Sequence, residues 1–142
     1  MIRSLIGIYI LLATFSVQAD TLKSKAELKP LSEKIMVQLA KGDAANAFKV
    51  IEQFMSIPSK EILTSSLESL SQRKKNDSRY GAPVGYELIK ETNMGDSIIR
   101  HQYIEKRELH VIVWTFYYYK TPKGWILDTY TWNDGIQTLF QQ

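Results

Sequence analysis

The chain has 142 residues, of which 44% are hydrophobic, 23% charged and 11% aromatic, a balance that suits one folded domain and excludes wholesale disorder. It contains no cysteine, which excludes disulfide staples, thiolate-bound zinc, iron–sulfur clusters and thiol nucleophiles together. Eighteen Lys and Arg against fifteen Asp and Glu leave a formal charge of +3, and two histidines give little scope for a multi-histidine metal site.

Residues 1–19 read as a cleaved signal peptide. Arg3 supplies a positive start, residues 5–15 are almost wholly apolar, and Val17-Gln18-Ala19 meets the small-residue requirement of a signal peptidase. The apolar run falls short of the roughly 20 residues of a membrane helix, and Gln18, Asp20 and Lys23 follow at once, so no stable membrane anchor is expected after cleavage. With no cysteine at the cut, a lipoprotein anchor is absent. A cysteine-free exported domain points to a bacterial periplasm, since small animal secreted domains lean on disulfides.

Residues 20–29 form a polar leader, and 30–142 are expected to be a single domain. Pro30 suits the first turn of a helix in which Leu31, Ile35 and Leu39 repeat, broadened by Met36 and Val37 and ended by Gly42. Asp43 caps a second helix with Ala44, Ala47, Phe48, Ile51 and Phe54/Met55 on one face. After the break at Ser56-Ile57-Pro58, a third helix starts near Ser59, turns Ile62, Leu63, Leu67 and Leu70 inward, and dissolves around Asn76 and Asp77. Its Arg73-Lys74-Lys75 and Arg79 read as a solvated helix end rather than a nucleic-acid patch, because no stacking aromatics join them.

From Tyr80 the period changes from helical to alternating. A strand runs through Tyr86, Leu88 and Lys90, and Asn93-Met94-Gly95-Asp96 turns into a second over 97–105. Lys106, Arg107 and Glu108 reverse the chain into a third over 109–119, the strongest strand signal. Thr121-Pro122-Lys123-Gly124 leads to a fourth over 125–132, and a short tail follows in which Leu139 and Phe140 could pin the chain end. Three N-terminal helices packed on one face of a four-stranded antiparallel sheet is an α+β plan.

This order, with Val84-Gly85-Tyr86-Glu87-Leu88, Gly95-Asp96-Ser97, the aromatic strand 114–119 and Tyr119-Lys120-Thr121-Pro122-Lys123-Gly124-Trp125, resembles the NTF2-like superfamily, a cone-shaped, cystatin-like α+β class. In particular it resembles small exported bacterial members, over about residues 30 to 140. The resemblance implies a curved sheet, a cavity between sheet and helices, and frequent dimerisation through the sheet. It fixes no reaction, because the class includes isomerases, dehydratases and many binding domains.

Two site readings follow. His101, Tyr103 and Asp128 could form a catalytic set for an isomerase or hydrolyase, the histidine acting as a general base oriented by the carboxylate. The competing reading of His101 is a partly exposed histidine with ordinary hydrogen bonds; His110 reads as a strand-end residue. Tyr86, Trp114, Phe116, Tyr118 and Tyr130 could line a ligand pocket, or else form core or a dimer interface. No metal-ligand spacing and no phosphate cradle are present: Gly81 and Gly85 lack the following Lys-Ser/Thr, so neither metal nor cofactor is expected. The function expected is a non-enzymatic binding or assembly module taking a small apolar or amphipathic ligand or an envelope peptide. The alternatives are the enzyme and a structural homodimer.

Overall fold

The protein is described by a computed structural model over residues 19–56 and 59–141. The expected signal peptide lies outside the described residues but for Ala19, as does the Ile57-Pro58 step. Helices α1 (Leu28–Ala40), α2 (Ala44–Phe54) and α3 (Ser59–Tyr80) precede strands β1 (Pro83–Met94), β2 (Ile98–Arg107), β3 (Val111–Thr121) and β4 (Gly124–Asn133). The strands pair in chain order as an open antiparallel sheet, so the protein is α+β as expected. The helices are not all N-terminal, however: a 3₁₀ segment, Ile136–Phe140, follows the sheet. Phe140 is 83% exposed there and pins nothing, whereas Leu139 is half-buried.

The stripes expected for α1 and α2 are buried, although α1 begins at Leu28, inside the expected leader, and Val37 is only half-buried. Leu28, Leu31, Ile35, Met36 and Leu39 bury one stripe of α1, and Ala44, Ala47, Phe48 and Ile51 that of α2, whose amide at Asn46 donates to the Asp43 cap. Gly42, between the helices, has φ +79°, the left-handed geometry that lets α1 end without strain.

Helix α3 departs from expectation twice. It continues past Asp77 to Tyr80, and its inward stripe is Ile62, Ser66, Leu70 and Arg73, whereas Leu63 and Leu67 are more than half exposed. Arg73 supplies the reason. Its guanidinium is bidentate on Glu105 of β2 (2.6 and 2.8 Å) and donates to the Leu39 carbonyl of α1 (2.9 Å), which holds the helix in one rotation. Arg73 is therefore buried and not part of a solvated helix end. Arg107 is buried as well, so the reversal before β3 is carried by Glu108 and Leu109, closed by Arg107 N–H to the His110 carbonyl (2.9 Å).

Each strand alternates between two faces. The inner face carries Ile99, His101, Tyr103 and Glu105 of β2 opposite Tyr118, Phe116, Trp114 and Ile112 of β3. The outer face carries Ile98, Arg100 and Gln102 opposite Tyr119, Tyr117 and Thr115. Two bulges interrupt the ladders. Ile89 is the extra residue in β1, and Asp128 the extra residue in β4, between Leu127 (opposite Tyr118) and Thr129 (opposite Tyr117).

The polar leader is part of the fold. Leu22 exchanges two backbone hydrogen bonds of 2.8 Å with Trp125 on the free edge of β4, and Asp20 bonds Gln53 through both backbone (2.9 Å) and side chain (2.7 Å). Glu27 reaches back to the amides of Lys23 and Ser24, so the leader enters a 3₁₀ turn that runs into α1.

Candidate functional site

Two regions concentrate chemistry, one on each face of the sheet. On the inner face, Ser32 is the polar interruption in the apolar stripe of α1, and its buried Oγ lies 2.9 Å from His101 Nδ1 and 2.7 Å from Tyr118 Oη. His101 Nε2 lies 3.2 Å from Glu91 Oε2 on β1. A carboxylate can only accept, so in the neutral ring Nε2 carries the proton and Nδ1 accepts from Ser32. Ser32, having given its proton to the ring, accepts in turn from Tyr118. The chain Tyr118 to Ser32 to His101 to Glu91 thus runs in one direction and joins α1 to three strands.

Electrostatics favour that neutral state. Burial pulls the His101 pKa below its ordinary value of 6.5, and the Glu91 carboxylate opposes this without reversing it. Burial likewise raises the Tyr118 hydroxyl, with the Ser32 hydrogen bond acting the other way. Burial also pushes up Tyr103, whose Oη has no hydrogen-bond partner among the described residues. Ser32 and His101 are 0% and 1% exposed, so solvent reaches this chain only at the Glu91 carboxylate.

Of the expected catalytic set, the structure brings His101 and Tyr103 to the same face with ring centroids 6.5 Å apart. It does not deliver Asp128 to them: Asp128 follows the inward-facing Leu127 on β4, is exposed, and is separated from β2 by β3, and the carboxylate at His101 is that of Glu91. Neither Ser32 nor Glu91 stood out in the sequence. Ser32 could have been found as a serine on an otherwise apolar stripe. Glu91 could not, because its place opposite His101 follows from the register of the β1–β2 hairpin, which starts at Met94 opposite Ile98.

The aromatic set is placed as a packed layer. Trp114, Phe116 and Tyr118 are essentially unexposed, with Tyr86 and Tyr130 half-buried at the margins. Trp114 stacks against Phe116, Tyr130 and Trp132 at 6.2, 6.4 and 5.8 Å, and Phe48 of α2 closes on Trp114 and Tyr130 at 6.3 and 6.0 Å. A cavity of about 20 Å³ beside Tyr130, between α2 and α3, has room for no more than a water. These five side chains therefore pack against helices and one another where a ligand-lined cone would need them facing space.

Beside this layer lies a buried charge cluster. Glu105 accepts from Arg73 twice and from Trp114 Nε1 (3.0 Å), and Arg107 Nη2 stands 2.8 Å from its Oε1. Arg107 Nη1 donates onward to Asp77 and to the Gly81 carbonyl (2.8 Å), tying α3 and the start of β1 to the sheet. The Glu105 carboxylate is spent on Arg73 and Trp114, whereas Arg107 Nε and Nη2 are buried without a hydrogen-bond partner among the described residues; the cluster ties α1, α3 and the sheet together.

The outer face differs in kind. A groove of about 400 Å³ is lined by Ile98, Tyr117, Tyr118, Tyr119, Asp128 and Thr129. Ile98 and Tyr119 are opposite one another and each about two-fifths exposed, and Tyr117 is the next residue on the same face. Asp128, the bulge residue of β4, is exposed and contributes to this groove. Among the described residues, no group of three or more Asp, Glu or His side chains is arranged to hold a metal ion, and no helix is long and apolar enough to cross a membrane.

Comparison with protein-family models, with curated proteins and with solved structures finds no match to this chain.

Proposed function

We propose that the protein is an exported, non-enzymatic binding module of NTF2-like architecture that takes a small amphipathic ligand on the outer face of its sheet. The observation that carries the reading is the groove at Ile98, Tyr117, Tyr119, Asp128 and Thr129. Its volume of about 400 Å³ falls within the roughly 300–1,000 Å³ of small-molecule sites, and it combines exposed apolar side chains with a few polar groups at one end. The inner face supports the same conclusion from the other side, since its aromatic rings are consumed by packing. Export rests on the signal-like residues 1–19 and a bacterial periplasm on the lack of cysteine; the NTF2-like architecture rests on the order of three helices followed by a meander.

The enzyme alternative is weaker, because the Ser32–His101–Glu91 chain is buried at its reactive atoms and joins helix to sheet. A uniformly labelled sample titrated with decyl glucoside, a neutral amphiphile, below its micellar concentration tests the proposal. Saturable single-site shifts at the amides of Tyr117, Tyr119 and Thr129, lost in Ile98→Asp, are expected. Absence of any shift there with neutral, cationic and anionic decyl amphiphiles alike overturns the reading. Concentration-dependent dimerisation abolished by Ile98→Asp would give the face to a second copy of the chain instead.

A further inference from the structure

Resting on the outer groove as the binding site, we infer that its ligand is an amphipathic cation, with an ammonium or similar head at Asp128 and an apolar body against Ile98. The groove lining carries one formal charge, the carboxylate of Asp128, and no basic side chain. That carboxylate is exposed and belongs to the residue of β4 that has no partner in the ladder with β3.

Tyr117 and Tyr119 stand two residues apart on the same face, so their Cα atoms are about 7 Å apart along the strand, within the reach of two tyrosine side chains to one head group. Tyrosine faces attract a cation within about 6 Å of the ring centroid, and the attraction strengthens as the head leaves water. A carboxylate beside aromatic faces, over an aliphatic floor, is complementary to a bulky ammonium and repels a sulfate or carboxylate head.

The nearest basic group on this face is Arg100, opposite Tyr117. Its Nη2 donates to Thr92 Oγ1 at 3.3 Å, which draws the guanidinium toward β1 and away from the β4 side where Asp128 lies. Lys106, farther along β2, is paired with Glu87 at 2.7 Å. Lys90, opposite Gln102, lies on β1, so the groove lining on β3 and β4 carries a carboxylate and no cation.

The experiment compares decyltrimethylammonium, decyl glucoside and decyl sulfate at submicellar concentration, with affinity from calorimetry and position from amide shifts, in the full chain and in Asp128→Asn. The ammonium is expected to bind about tenfold more tightly than the glucoside, the sulfate most weakly, and Asp128→Asn to bring ammonium and glucoside to parity. Circular dichroism checks that this exposed substitution leaves the fold intact. Equal binding of all three at the groove, or an ammonium preference that survives Asp128→Asn, overturns the inference while the binding-module reading stands. A preference for the sulfate also overturns it and assigns the head group to Arg100. If no amphiphile shifts Tyr117, Tyr119 or Thr129, the underlying reading fails and the inference fails with it.

Discussion

Glu105→Gln is the substitution that most directly tests how the helices are held on the sheet. The glutamine keeps the shape of the side chain and removes the charge. Glu105 is fully buried and receives Arg73 at 2.6 and 2.8 Å, Trp114 at 3.0 Å and Arg107 at 2.8 Å. Arg107 would retain Asp77 and the Gly81 carbonyl, whereas Arg73 would keep the Leu39 carbonyl and one neutral amide oxygen, with an NH2 donor facing it in place of the second acceptor. Breaking one side of a buried ion pair costs about 3–5 kcal/mol, because the remaining charge stays desolvated. Against a total stability of about 5–15 kcal/mol this is a large fraction. With a urea slope of about 2 kcal/mol/M, the unfolding midpoint should fall by about 2 M. Far-UV circular dichroism in urea measures it without interference from Trp114, whose indole touches the mutated group. Arg73→Met supplies the second arm of a double-mutant cycle: the double variant should lose at least about 2 kcal/mol less than the sum of the single losses. A loss below about 1 kcal/mol for Glu105→Gln, with the two substitutions additive, would refute the idea that this pair fixes α3.

Protonation of His101 should lower stability. Its pKa is depressed by burial in the folded protein, so the unfolded chain takes up the proton first; the stabilisation is complete above about pH 6.5 and is lost as pH falls below it, by up to about 1.4 kcal/mol per pH unit. His101→Phe should flatten that part of the urea-midpoint profile between pH 7.5 and 5, and equal slopes in both proteins would count against a buried neutral imidazole. Gly124→Ala should release the N-terminal leader, since the residue has φ +138° and an added Cβ would sit 2.7 Å from the Leu22 carbonyl. A loss of about 1–3 kcal/mol is expected together with faster hydrogen exchange at the amides of Leu22 and Trp125, and unchanged protection at both would show the strap to be tolerant.

Periodicity was informative wherever burial alone decides the structure. The repeats in α1 and α2 and the alternation of β3 appear in the fold because apolar side chains seek one face at a known spacing. Helix α3 escaped the same logic through Arg73, whose partner Glu105 lies 32 positions away and outweighs the exposure of Leu63 and Leu67. Hydrophobic spacing counts apolar residues only, and a buried ion pair is invisible to it. The catalytic set failed to assemble for a related reason. Asp128 lies on β4, with β3 between it and His101, whereas the register of the first hairpin brings Glu91 of β1 opposite His101, and neither strand order nor register is written in the alternation of apolar residues. The aromatic residues were legible as a group, but not whether they enclose space or fill it, which depends on how closely Phe48 of α2 approaches the sheet.

The strap at Leu22 has a consequence for the order of events during biosynthesis. Its partner, Trp125, lies in the last strand, so the first segment of the folded domain must wait for nearly all of the chain before it can pair. At about 5–20 residues per second, the roughly 100 intervening residues take about 5–20 seconds to make, during which the leader has no docking place. Helices α1 and α2 can meet early, being adjacent in the chain, yet the edge of β4 at Trp125 is covered only at the end, by a segment made before either helix. The interval before sealing is when that edge is open to another strand, and the completion of β4 is what closes it.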